Sequence, residues 1–241
     1  MDKKYYFELV RQQPINYNGL LFYPISLDEI SDKIGYDNFD NVLYPFLMHK
    51  DCIDLPEEDL ERMNLFEDFI LANEALLYSV VIILRLFCKC DDIRISEDAK
   101  SIVLVFSEES FFEITKDNFD DICDIIMQIN AKQKIKVEKP PKNMSEKQKD
   151  IWLKLQEGRR KDVEKNGIKF YDILNICEFG GEYHIPQSVI GSWTLWKINH
   201  CFSTRVDIKN YTDGVTLVSA THDGKLISGD NYWIQKMRVR S

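Results

Sequence analysis

The 241 residues are 44% hydrophobic and 12% aromatic, with only ten glycines and seven prolines, which is enough apolar side chain to bury a core as one large or two small domains. That composition sets aside intrinsic disorder, and a net charge of −9 argues against a dedicated nucleic-acid binder, which carries a basic domain. No apolar segment follows the opening lysines as a secretory signal requires, so six irregularly spaced cysteines read as reduced thiols in a cytoplasm.

The charge is unevenly spread. Residues 1–130 hold 27 acidic and 11 basic side chains, a net of −16, and residues 131–241 hold 13 and 20, a net of +7. The junction, 131–149, is lysine-rich around Pro140-Pro141, and two adjacent prolines hold the backbone extended. This predicts an acidic α+β domain over 1–130, a Lys/Pro-rich linker over 131–149 and a basic helical domain over 150–241.

In chain order, Phe7 to Ile25 is strand-like and leads into a helix from Leu27 to Ile34. Ser26 and Glu29 form a capping box there, Ile25 and Ile30 a hydrophobic staple, and Gly35 closes the end. A second helix fits Tyr36 to Met48, bent or broken near Pro45. Pro56, followed by Glu57, Glu58 and Asp59, opens a helical stretch running to about Phe87 as two rods. Its most apolar run, Ala75 to Leu84, is well short of the ~20 apolar residues that cross a bilayer. Short β-branched and aromatic runs (DIRI, SIVLVF, SFFEIT) then predict an antiparallel meander. Helix returns over Lys116 to Asn130, with Phe119, Ile122, Ile126 and Ile129 on one face.

In the second half, Ser145 and Gln148 form another capping box, and the helix they open ends at Gly167, pairing Ile151 with Leu155 beside Trp152. A further helix is closed by Gly180-Gly181. Ser192 is placed to cap the next one, whose core stripe is Leu195, Ile198, Phe202 and Val206. Trp193, Trp196 and His200, spaced i, i+3, i+7, make a second stripe, more apolar perimeter than one packed face needs. A helix, a turn and a short final helix complete the chain. The fold class is mainly α with a small antiparallel β meander and a helical C-terminal module.

Motifs for catalysis are absent: no phosphate loop, dinucleotide fingerprint, zinc-protease helix or nucleophile elbow occurs. His200 and Cys201 are adjacent and diverge on a helix, so they make no dyad. His49, Cys52, Cys88 and Cys90 do not have zinc-knuckle spacing. The basic run Glu157 to Lys165 is interleaved with acids and reads as a solvated helix face. No cofactor, metal or enzymatic activity is expected.

The order of FYDILNICEF (170–179), SWTLWKINHCFSTR (192–205), an alanine-bearing segment and YWIQKM (232–237) resembles the C-terminal part of tail assembly chaperone-like proteins of tailed phages infecting low-GC Gram-positive bacteria. There a YDILxIVAY helix precedes a WxLTVYQLYDxFxR helix and an aromatic-led terminus. FYPISLDEISDKIGYDNF (22–39) is similar to their N-terminal hPhohxEIxxhGYDxF helix. The chain departs from them at CEFGGEYH and TLWKINHCF. The resemblance implies a non-enzymatic factor in the host cytoplasm that coats the tape-measure protein, or another tail protein, during tail assembly and self-associates, with no membrane or nucleic acid as partner. Trp193, Trp196, His200 and Trp233 are the expected partner-binding residues. The competing expectations are a structural protein of the virion and a small nucleic-acid-binding or host-interacting regulator.

Overall fold

The computed structural model describes residues 5–221 apart from 136 and 142. The architecture is mainly α-helical with two small antiparallel sheets, as the patterning predicts.

The first segment differs from the strand-like expectation. Residues Tyr6–Arg11 form helix α1, closed by Gln12 in the left-handed conformation, and Leu9 is its buried contact. A tight hairpin follows, β1 (Ile15–Tyr17) paired with β2 (Leu20–Phe22), turning on Asn18 and Gly19. Both turn residues have positive φ, 50° and 92°. That geometry suits an Asn-Gly dipeptide because its twist matches the strands. The Asn-Gly pair is the signal that separates hairpin from continuous strand here. Tyr17 ties the hairpin to the body by donating to Asp121 at 2.7 Å.

Helix α2 (Leu27–Lys33) carries the expected capping box: the Glu29 amide donates to Ser26 Oγ at 3.2 Å and the Ser26 amide to Glu29 Oε2 at 2.9 Å. Gly35, at φ 82°, reverses the chain into α3 (Tyr36–Leu47). Pro45 does not break α3 but lies in its final turn, buried. The stretch expected as two rods is three pieces, α4 (Glu57–Arg62), a π-helical turn (Leu65–Ile70) and α5 (Glu74–Cys88). Asparagines make the breaks. Asn64 accepts from the amides of Phe66 and Glu67, and Asn73 from those of Ala75 and Leu76, so each starts a new helix. Helix α5 is the central rod, with Val80, Ile83, Leu84 and Phe87 fully buried.

The meander is a three-stranded sheet, β3 (Asp92–Ile95), β4 (Ile102–Ser107) and β5 (Ser110–Ile114), in that order. Ile102, Leu104 and Ile114 face the core, and Val103, Val105 and Phe111 alternate outward. Helix α6 (Phe119–Ile129) buries Phe119, Ile122, Ile126 and Ile129, the predicted face. Phe119 stacks on Phe66 at 4.4 Å.

Residues 131–145 form no helix or strand where described, and they are strapped to the acidic half. Lys132 pairs with Asp40, Lys134 with Asp120 and Lys139 with Asp51, and the Ile135 amide donates to the Leu47 carbonyl. Beyond the strap come α7 (Glu146–Asn166), α8 (Phe170–Phe179), the short α9 (Gln187–Gly191) and α10 (Leu195–Thr221). Cys177, Ile190, Leu195, Trp196 and Ile198 share one core with the N-terminal residues. Phe170 stacks on Tyr36 at 4.2 Å. Thus the boundary near residue 130 separates charge; the hydrophobic core runs across it. Among the described residues no helix is long and apolar enough to cross a membrane.

Candidate functional site

The loop between α9 and α10 fixes the tryptophans. Pro186 starts α9, and Ser192 ends it, donating its hydroxyl to the Val189 carbonyl at 2.7 Å. Ser192 is therefore not the cap of the following helix. Thr194 is, since its Oγ1 accepts from the Lys197 amide at 3.2 Å. Residues 193 and 194 are instead extended along the start of α2: the Leu27 amide donates to the Trp193 carbonyl at 2.9 Å, Ser26 and Thr194 form an antiparallel bridge, and the Thr194 amide donates to Gln12 Oε1 at 3.0 Å.

This displaces the expected stripe. Trp193 precedes α10 and does not share its helical spacing; its indole is half-buried, with Lys197 Nζ 4.8 Å above the ring. Trp196 is only 2% exposed and belongs to the core. His200 stacks on it at 4.9 Å, and Tyr6 of α1 meets both rings edge-on. Burial holds the His200 imidazole below its ordinary pKa. The Trp196 Nε1–H has no hydrogen-bond acceptor among the described residues, so the pocket is a packing site rather than a polar one. Trp196 and His200 meet against α1, where Tyr6 of the same chain covers Trp196, whereas Trp193 lies along the start of α2. Trp233 lies outside the described residues.

The uncovered apolar surface is elsewhere. Helix α7 has 21 residues, and none of its described side chains is buried. Ile151, Leu155 and Val163 are 50%, 59% and 67% exposed, and with half-exposed Trp152 they span about a third of the helix circumference. Lys154–Asp150 and Lys161–Glu157 pairs, each i,i+4, stabilise it along its length. Glu138 of the strap ties it to the body, accepting from Gln156 and pairing with Arg159. Tyr171 and Phe179 of α8 and Tyr183 just after it are also exposed, as are Ile208 and Val215 in the distal half of α10. Tyr183 sits on a fixed loop: buried Glu178 accepts from Gln187 and contacts His184 at 3.1 Å. The Ile151–Leu155 pair was visible in the sequence; that no described residue covers it was not.

The residues considered for metal have other partners. Cys90 donates to the carbonyls of Asp92 and Val105, Cys88 is held protonated by burial, and His49 accepts from the Asp51 amide. Compared with known protein families, characterised proteins and solved structures, the chain matches none.

Proposed function

We propose that the chain is a non-enzymatic morphogenesis factor of a tailed phage, an assembly chaperone that holds the tape-measure protein in the host cytoplasm until tail-tube subunits polymerise round it. The supporting observation is α7, a 21-residue helix whose Ile151, Trp152, Leu155 and Val163 side the described residues leave open. A long apolar helical client is recognised by laying helix against helix, through anchors at i and i+4 spacing. Exposed Tyr171, Phe179 and Tyr183 extend the surface with aromatic side chains, the type that dominates interface energetics. Many moderate contacts suit a client that must later be released. The net −16 of residues 1–130 keeps the loaded complex soluble.

On this reading the client surface is centred on α7 and α8. Self-association uses the same faces, while Trp196 and His200 pack against Tyr6 of α1 and stand apart from that surface. The test is co-expression with the tape-measure protein of the same phage, followed by mass spectrometry of purified particles. The proposal expects a complex in the lysate and no copy of this chain in the particle. A stoichiometric copy in the particle would make it a structural component instead.

A further inference from the structure

All six cysteines are free thiols, and two of them face each other across the packed helices α8 and α10. Cys177 is fully buried, and its Sγ donates to the Ile198 carbonyl at 3.5 Å, so the sulfur rests on the α10 backbone one turn before Cys201. The Cys201 thiol lies close enough to this sulfur for the two to affect one another's ionisation. Cys201 is half-buried and so reachable from solvent.

The surroundings distinguish the two sulfurs. Lys197, Cys201 and Arg205 lie at i, i+4 and i+8 on one stripe of α10. Arg205 reaches across to α8, its Nη1 donating to the Ile176 carbonyl at 3.2 Å, which sets the guanidinium beside the thiol pair. The neighbouring Cys177 thiol, with Arg205 and Lys197, lowers the Cys201 pKa against the opposing effect of burial, and the nearby Cys201 sulfur and burial raise that of Cys177. Cys88 and Cys123 are buried and shifted upward by that burial.

We infer that Cys201 and Cys177 form an oxidisable thiol pair, Cys201 attacking a peroxide and Cys177 resolving the product into a disulfide that joins α8 to α10. In the first step the Cys201 thiolate attacks one oxygen of hydrogen peroxide. The O–O bond breaks, hydroxide leaves and is protonated to water, and Cys201 becomes a sulfenic acid. In the second, the Cys177 sulfur attacks the Cys201 sulfur, the S–O bond breaks, and the oxygen leaves as water with the Cys177 proton. Two thiols are oxidised by two electrons, and one peroxide is reduced to two waters. The inference does not rest on the proposed function.

The test uses the full reduced chain, treated with hydrogen peroxide, blocked with N-ethylmaleimide and digested with trypsin without reduction. Cleavage after Lys169, Lys197 and Arg205 places the two cysteines in separate peptides, 170–197 and 198–205. The expected product is those peptides joined, with two hydrogens lost, formed before Cys52 is oxidised. Cys177→Ser should stop the reaction at a Cys201 sulfenic acid that dimedone traps, and Cys201→Ser should leave Cys177 reduced. Wild-type protein in which Cys52 oxidises first, or in which Cys201 accumulates sulfenic acid without joining Cys177, would overturn the inference. That comparison needs no variant to fold.

Discussion

Trp196 and Trp193 are three residues apart and have opposite expected consequences on replacement. The Trp196 indole fills the space between Tyr6 and His200. Trp196→Ala should therefore cost about 3–5 kcal/mol, read as a large drop in the urea midpoint. Trp193→Ala, at a half-exposed ring, should cost about 1 kcal/mol. Equal small losses would place both rings at the surface. His200 adds a pH dependence. Burial lowers its folded pKa below 6.5, so well above pH 6.5 neither state is protonated and its contribution to stability is complete. As pH falls below 6.5 the unfolded chain binds the proton first and stability declines, until pH passes the folded value and the slope vanishes. Unfolding curves of wild type and His200→Gln at pH 7.5 and 5.5 should show the larger loss in wild type. Residue spacing alone could not separate the two indoles. Spacing assumes that the helix includes Trp193, whereas the contact of Trp193 and Thr194 with the start of α2, 166 or more residues earlier in the chain, delays the helix until Leu195.

The elements whose ends carry local chemistry were legible. Capping boxes at Ser26 and Ser145 start α2 and α7 in the expected places, and the α6 face is the predicted one. The misread elements were those decided by a single polar side chain or by distant packing: α1, and the break that Asn64 and Asn73 impose between α4 and α5. Helix α7 is held by its own termini and ion pairs more than by burial. Ser145→Ala should remove about 1 kcal/mol from its start and fray the first turn. The expected readout is weaker helical circular dichroism with an unchanged urea midpoint of the core. A shifted midpoint would mean that α7 is coupled to the core.

At the scale of the molecule, two halves of opposite charge share one core. The strap lysines Lys132, Lys134 and Lys139 sit on acids of the other half. Solvent-exposed pairs of this kind contribute little, so the shared core and not the ion pairs holds the halves together. One calorimetric transition is expected, and two separated transitions would contradict it. Charge asymmetry and a proline-rich junction are visible in a sequence, but which apolar residues meet across that junction is decided only by folding. The same holds for the surface left over. The core accounts for the apolar residues of α5 and α6, while those of α7 have no cover within the described residues. The most direct measurement of what that surface is for is a pull-down of co-expressed tape-measure protein by wild type and by Ile151→Lys/Leu155→Lys. The account predicts at least a tenfold loss of captured client with the urea midpoint unchanged; full capture by the folded double variant would contradict it.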